Sequence, residues 1–171
     1  MATNFEVLLR AVVAAPEQPL GTLPLLSAAE REQLLVTWNA TTTAYDRHTP
    51  AHALIAARAA AQPHALAVCD PQYRLSYATL NARADTLAAT LLAHGLEPEQ
   101  PVMLYLERGV TFVVAMLAVL KAGGAFLPLD PSTPPARVQR IVADARPCCV
   151  LTSPTLHASI ANVGVPCLTP D

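Results

Sequence analysis

The sequence predicts an α/β fold in which a mainly parallel sheet is layered with helices, and three observations predict it. Apolar residues make up 53% of the 171 residues and charged residues only 14%, against roughly 25% charged in an average soluble protein, so a large core is available. From residue 102 onward, short apolar runs alternate with longer runs of helical period, which favours parallel strands joined by right-handed crossovers. The run Val110–Lys121 is apolar nearly all round, which predicts a helix buried between two layers.

The first 44 residues predict a helical linker that precedes this domain, with the boundary between residues 44 and 45. Apolar residues at i, i+3, i+4, i+7 and i+8, beginning at Phe5, predict an amphipathic helix that ends before Pro16. A proline-rich connector follows, and then Ser27 and Glu30 form an S-x-x-E capping box that opens a short helix. Trp38, the lone tryptophan, is interpreted as an anchor of the linker because a large aromatic ring favours burial.

Residues 45–171 predict a series of elements with clear start and stop signals. Thr49-Pro50 predicts an N-cap and a first helical residue, and Pro63 stops that helix. Two strand-like runs, 66–69 and 74–77, predict a hairpin around Asp70-Pro71-Gln72. A helical period returns at Thr79 and is stopped by Gly95. The remaining predicted elements are strands over 102–106, 126–129 and 149–151 and helices over Val110–Lys121 and Pro135–Ala145. Residues 153–171 carry no specific pattern.

Charge and hydropathy exclude several classes of function. The chain has 11 Lys and Arg against 13 Asp and Glu and no basic stripe, which argues against nucleic acid or an anionic membrane as partner. Its longest apolar run, 112–120, is far shorter than the ~20 residues that cross a bilayer. Glu6 stands where a secretory signal favours basic and then uninterrupted apolar residues. We therefore expect a cytoplasmic protein.

Gly123-Gly124 is the one glycine pair that invites a phosphate-binding interpretation, and its position argues against it. A phosphate cradle places glycines before a helix, where free N–H groups and the positive end of the helix dipole face the anion. Here the glycines follow the helix predicted to end at Lys121. We therefore interpret them as a helix C-cap, with Lys121 as a cation in the last turn.

Other residues that could carry chemistry have simpler interpretations. His48 and His52 are four residues apart, but Pro50 separates them and no Glu follows, so a metal site is disfavoured. Glu97 and Glu99 flank a proline, as in a solvated turn. The sequence has no G-x-S-x-G motif. Its four cysteines lack C-x-x-C spacing and are interpreted as reduced structural thiols, namely Cys69, Cys148, Cys149 and Cys167.

Several longer segments together resemble one enzyme family. Residues 120–131 read LKAGGAFLPLDP and closely resemble the second core motif of nonribosomal peptide synthetase adenylation domains. Upstream, LSYATLNARAD at 75–85 resembles the first core motif, and YLERG at 105–109 is similar to the turn between the two. Downstream, residues 134–152 read PPARVQRIVADARPCCVLT and are similar to the helix and strand that follow. Residues 5–46 resemble the end of a condensation domain and its connector.

The resemblance implies an activity for the parent enzyme and a layered adenylate-forming fold for this part of it. Such an enzyme uses ATP and Mg²⁺ to convert an amino acid to an aminoacyl-adenylate, which is then loaded on the phosphopantetheine of a carrier protein. The family's phosphate loop, amino-acid pocket and catalytic lysine lie beyond the motifs present here. We therefore assign no catalytic, cofactor-binding or metal-ligating residue. We expect these 171 residues to stop before the phosphate loop of the domain and to be inactive alone.

The resemblance also implies the partners: the preceding condensation domain and the following adenylation and carrier segments of the same synthetase. Two alternatives remain at this stage. One is part of a related acyl-CoA synthetase, and the other is a non-catalytic docking fragment that binds through the apolar face of the first helix. A nicotinamide-dependent dehydrogenase is disfavoured because no G-x-G-x-x-G follows a strand. One departure from the family pattern is Thr79, where Glu is usual, so the capping box that Ser76 begins lacks its reciprocal partner.

Overall fold

A computed structural model describes residues 2–170 of the chain. Its internal contacts divide the chain into two compact units, residues 1–47 and 48–171. Within residues 2–170, no helix combines the length and the hydropathy needed to cross a bilayer.

The first unit is helical, and its capping box is confirmed. Helix α1 spans Ala2–Ala14, and α2, Ala28–Glu32, continues into a π-helical turn. Ser27 Oγ accepts from Glu30 N at 3.2 Å, while Glu30 Oε2 accepts from Ser27 N at 2.8 Å. No helix of this unit has a fully buried side chain. Trp38 is 63% exposed, so the first unit does not itself bury this ring.

The second unit opens with a helix and the expected hairpin. Helix α3 spans Ala51–Ala61, and its N-cap is Pro50, one residue later than predicted. Strands β1, Leu66–Cys69, and β2, Arg74–Ser76, pair antiparallel in a separate two-stranded sheet. Helix α4, Tyr77–Ala93, follows β2 without a break because Ser76 is both the last strand residue and the N-cap.

The rest of the second unit is a four-stranded sheet with helices between its strands. The order across the sheet is β4-β3-β5-β6, and every neighbouring pair is parallel. In chain order the elements are β3 Pro101–Tyr105, α5 Val110–Lys121, β4 Ala125–Pro128, α6 Pro135–Ala145, β5 Cys149–Thr152, α7 Pro154–Ile160 and β6 Cys167–Leu168.

The core lies on both faces of this sheet. Val102 and Leu104 of β3 pack with α4 and α5 on one face. Met103 and Tyr105 point the other way and pack with α6 and with Ile160. Because strand side chains alternate between faces, a fully buried strand of this kind needs a helical layer on each side. The layered α/β prediction is therefore confirmed, including the buried position of α5.

Two elements lie where the sequence carried no specific pattern. Helix α7 and strand β6 occupy part of residues 153–170. Strand β6 is only two residues long, so it has no period from which a strand could be predicted.

Candidate functional site

The most distinctive feature of the second unit is a change in the direction of its crossovers. From β3 the chain passes over one face through α5 to β4, which is one edge of the sheet. From β4 it returns past β3 through α6, on the other face, to β5. The loop after β3 therefore leads to one face of the sheet, whereas the loops after its two neighbours, β4 and β5, lead to the other face. Open α/β sheets bind ligands in the crevice that such a reversal creates.

A cleft of about 780 Å³ lies beside the loop after β3, on the side of β4. It lies between the loop after β3, residues 106–109, and the loop after β4, residues 129–134. Its lining is apolar at the base and polar at the rim. The apolar residues are Leu106, Phe112, Val113, Pro128, Leu129 and Pro131, and the polar ones are Glu107, Arg108, Asp130 and Ser132. This combination is typical of sites for small amphipathic ligands.

The loop after β4 is held by two sets of hydrogen bonds. Tyr105, only 4% exposed, donates its hydroxyl to the carbonyl oxygen of Pro131 at 3.0 Å. Asp130 Oδ1 accepts from the hydroxyl of Ser132 at 2.7 Å and from its backbone N–H at 2.9 Å. These bonds to Ser132 hold the pKa of the Asp130 carboxyl below its ordinary value. The loop therefore presents a carboxylate to the cleft at neutral pH.

The loop after β3 is anchored by a hydrogen bond to the turn of the hairpin. Asp70, in the turn between β1 and β2, accepts at Oδ2 from the backbone N–H of Val110, the first residue of α5, at 2.9 Å. Its Oδ1 accepts from the N–H groups of Gln72 at 2.8 Å and Tyr73 at 2.7 Å. The bond from Val110, followed by those from Tyr73 and Gln72, lowers the pKa of the Asp70 carboxyl.

A second cleft, of about 510 Å³, lies on the other side of the same loop. It is bounded by the hairpin turn, by residues 106–111 and by Ser153 and Thr155 at the start of α7. Residues 106–109 line both clefts. The position of this short loop therefore sets the shape of both.

Thr152, at the carboxyl end of β5, is the one described side chain whose buried polar atom lacks a hydrogen-bond partner. It is 0% exposed, and no group within residues 2–170 bonds to its Oγ1. It pairs with Tyr105 of β3, on the sheet face that carries α6. A buried hydroxyl without a partner destabilises a fold, so this atom marks either strain or an additional binding partner.

Two helices, α5 and α6, begin near the loops that line the cleft. The N-terminus of α5 already holds the Asp70 carboxylate. Helix α6 begins with Pro135 after Pro134, and neither proline has an N–H to offer a phosphate. Residues 2–170 contain no group of three or more His, Cys, Asp or Glu side chains suited to a metal ion.

The prediction for Gly123-Gly124 is confirmed. Gly123 has a φ of +80°, and its N–H donates to Leu120 O at 3.2 Å, while Gly124 N–H donates to Val119 O at 2.9 Å. These two bonds form a Schellman motif at the C-terminus of α5. Lys121 lies in the last turn of α5, as predicted, and its ammonium also binds Asn81 and Asp85 of α4.

The cysteines are free thiols, as predicted. Burial raises the pKa of Cys149 to about 12, so this thiol is protonated at neutral pH and is a poor nucleophile. Its neighbour Cys148 has its sulfur 3.8 Å from that of Cys149. This separation is far longer than a disulfide bond of about 2.05 Å.

Sequence reasoning missed the cleft as a site. The signal was present, because polar residues follow β3 at Glu107-Arg108 and follow β4 at Asp130. Locating the site also requires the strand order, since these two loops meet only because β4 lies next to β3 in the sheet. Periodicity along the chain does not give that order.

Comparison with known proteins gives one family and a set of long relatives. The AMP-binding enzyme family matches residues 55–169. The chain is 41% identical over 169 residues to tyrocidine synthase 3 of Brevibacillus parabrevis, covering 98% of this chain and 3% of that protein. It is 43% identical over 155 residues to chondramide synthase cmdD of Chondromyces crocatus, covering 89% of this chain and 4% of that protein. The chain thus spans only a few per cent of the length of these relatives.

Solved structures give the same picture. The AMPPNP-bound form of the nonribosomal peptide synthetase FmoA3 matches 99% of this chain and 18% of that chain, with a TM-score of 0.75 and 26% identity. A fatty acid AMP ligase from Legionella pneumophila matches 70% of this chain and 23% of that chain, with a TM-score of 0.64 and 25% identity.

Proposed function

Because this chain belongs to the AMP-binding enzyme family, we propose that residues 45–171 are the N-terminal part of an amino-acid adenylation domain of a nonribosomal peptide synthetase. The observation that carries the proposal is the extent of the similarity. Identity to tyrocidine synthase 3 covers 98% of the chain, well beyond the family match at 55–169. The fatty acid AMP ligase covers 70%, which disfavours the acyl-CoA synthetase alternative.

The complete domain activates an amino acid with ATP and Mg²⁺ to aminoacyl-AMP and pyrophosphate, and then transfers the aminoacyl group to a carrier-protein phosphopantetheine thiol. The residues described here contribute the parallel sheet, its two helical layers and the cleft at the crossover reversal. They orient loops rather than hold phosphate, because the helix N-termini beside the cleft are occupied by Asp70 or built from proline. ATP and Mg²⁺ are held elsewhere in the domain.

Because ATP and Mg²⁺ are held elsewhere in the domain on this proposal, we also propose that the 171 residues alone are inactive. Adenylation develops charge on the transferring nucleotide phosphates, and enzymes stabilise it with N–H donors, cationic side chains and a metal. Amino-acid-dependent exchange of labelled pyrophosphate into ATP by the isolated chain should therefore stay at the level of the blank. Exchange above the blank would contradict the proposal.

Residues 1–44 we assign to the end of a condensation domain and the linker that follows it. The long relatives support neighbouring domains in the same polypeptide, and the 99% coverage by the FmoA3 structure includes this region. On this proposal the partners are the condensation domain before the chain and the remaining adenylation and carrier segments after it.

The proposal is tested by domain replacement. Residues 45–170 of this chain replace the equivalent segment in an adenylation domain of tyrocidine synthase 3, which is the host. Amino-acid-dependent pyrophosphate exchange by the chimera is then measured. We expect exchange with the host's amino acid, because the phosphate loop and amino-acid pocket remain those of the host. A matched chimera that carries the equivalent segment of the Legionella fatty acid AMP ligase should exchange less. A folded, soluble chimera of residues 45–170 without exchange would overturn the proposal.

A further inference from the structure

We propose that Asp70 is a positioning residue whose carboxylate serves as an internal anion at the N-terminus of α5 and so fixes residues 106–109, the wall shared by the two clefts. The functional meaning of that wall rests on the proposed function. The arrangement itself rests on contacts within the second unit.

The carboxylate joins two elements that are distant in the sequence. Asp70 lies in the hairpin turn, and Val110, 40 residues later, begins α5. Oδ2 accepts from Val110 N–H, while Oδ1 is held by the N–H groups of Gln72 and Tyr73. Because both oxygens accept from backbone groups, the carboxylate has little freedom to turn away. The hairpin and the start of α5 are therefore fixed relative to each other.

Gly109 supplies independent evidence that this contact is built into the chain. Its φ of 169° is extended backbone that any residue adopts, so glycine is not required there by conformation. A Cβ at this position would lie 2.9 Å from Asp70 Oδ2, closer than a carbon and an oxygen normally approach. Glycine at 109 is thus explained by the space that the carboxylate occupies.

The electrostatics of the helix favour the same assignment. Helix α5 has 12 residues, and its N-terminus carries a partial positive charge and unsatisfied N–H groups. Folds with a crossover reversal often bind a ligand phosphate at such a terminus. Here an aspartate of the chain itself takes that place. The other ionisable side chains that line the second cleft beside Asp70 are Tyr73, Glu107 and Arg108, and the adjoining strands carry Cys69 and Arg74.

The consequence concerns the geometry of the site. Residues 106–109 follow β3 and precede the anchored Val110, so they are held at both ends. With the Asp70 bond in place, the polar residues Glu107 and Arg108 keep a fixed position at the rim of the cleft. Loss of the bond frees one end of the wall while leaving the sheet intact.

The test uses amide exchange and chemical rescue in the 171-residue chain. Asp70→Ala should reduce hydrogen-exchange protection of the Val110 amide, and added formate should restore it in a saturable way by occupying the vacated position. Formamide, which has the same size without the charge, should not. Asp130→Ala is the matched control, since the Asp130 side chain bonds only within its own loop, and it should leave the Val110 amide unchanged.

Asp70→Asn keeps the test decisive if Asp70→Ala does not fold. In the wild type the Val110 amide shift should follow a carboxyl titration at low pH, and in Asp70→Asn that titration should disappear. Unchanged Val110 protection in Asp70→Ala, a Val110 titration that persists in Asp70→Asn, or equal effects of formate and formamide would overturn the proposal. Neither readout involves pyrophosphate exchange, so an inactive chimera would count against the proposed function alone.

Discussion

Lys121 of α5 reaches α4, where its ammonium lies 2.5 Å from Asp85 Oδ1 and 2.7 Å from Asn81 Oδ1. Asn81 in turn donates to Asp85 Oδ2 at 2.9 Å. Lys121 belongs to the LKAGGAFLPLDP segment, and the two α4 residues belong to LSYATLNARAD. The two segments that most strongly resemble adenylation core motifs therefore bind each other, which gives them a structural role.

Replacing Lys121 should destabilise the second unit. The Lys121 side chain is 12% exposed but that of Asp85 is 57% exposed, so solvent screening limits the loss on Lys121→Met to about 1 kcal/mol. Urea unfolding of the variant measures it. Arg10→Met is the control, because the Arg10–Glu6 pair is exposed on both sides and should contribute at most a few tenths of a kcal/mol. Equal effects of the two variants would show that the contacts of Lys121 with Asp85 and Asn81 add nothing to the stability of the unit.

The N-terminus of α4 offers a stabilising substitution. Ser76 Oγ accepts from Thr79 N–H at 3.3 Å, but Thr79 has no carboxylate to reach back to the backbone N–H of Ser76. Thr79→Glu should complete the capping box and stabilise the unit by about 0.5 kcal/mol. Thermal unfolding measures the gain. Thr79→Gln separates the reciprocal bond from the added charge, and a loss of stability in both variants would contradict the prediction.

Acid should weaken the second unit through Asp70 and Asp130. Hydrogen bonds lower both pKa values in the folded state from an ordinary value of 3.8. A lowered carboxyl pKa gives stability that is fully present above the unfolded value and is lost as pH falls through the folded value. The free energy of unfolding should therefore fall below about pH 4. Urea titrations from pH 5 to pH 2 should show a smaller pH dependence for Asp70→Asn than for wild type.

The two glycines after α5 should respond differently to alanine. Gly123 has a φ of +80° and open space around it, so Gly123→Ala adds only the cost of the left-handed conformation, about 1 kcal/mol. In Gly124→Ala a Cβ would meet the carbonyl oxygen of Gln100 and Leu96 at 3.1 Å. Crowding of this kind costs roughly 1–3 kcal/mol. Calorimetry should show that Gly124→Ala is the more destabilising. The reverse order would contradict the prediction that crowding at position 124 costs more than the left-handed conformation at position 123.

The extent to which sequence predicts this molecule follows from what each feature depends on. Helices α5 and α6 have the bounds predicted for them, because a proline or glycine marks their ends and their apolar spacing is local. The cleft depends on strand order, and the Asp70–Val110 bond joins residues 40 apart. Neither leaves a periodic signal. The contacts of Lys121 with Asn81 and Asp85 were not predicted for the same reason, since these partners are on α4, 40 and 36 residues earlier in the chain.

Thr152 illustrates a residue that looks ordinary in the sequence and unusual in the structure. A β-branched residue at the end of a buried strand fits the pattern of β5, yet its hydroxyl is fully buried and no group in the described part of the chain bonds to it. A valine has nearly the same shape and no polar atom. We expect Thr152→Val to stabilise the unit by about 1 kcal/mol or more, because burying an unbonded hydroxyl costs on the order of 1–3 kcal/mol.

The same substitution also tests whether a water or a further segment of the enzyme binds there. Thr86→Val is the control, since the exposed Thr86 bonds the carbonyl of Ala82 within α4, and its effect should lie within about 0.5 kcal/mol of zero. Chemical denaturation of both variants gives the comparison. Destabilisation by Thr152→Val would show that Oγ1 has a partner in solution. The substitution can also be made in the chimeric domain. There, a loss of pyrophosphate exchange without a loss of stability would assign the partner of Oγ1 to the rest of the adenylation domain. A gain in stability of the chimera would confirm that the hydroxyl stays unbonded.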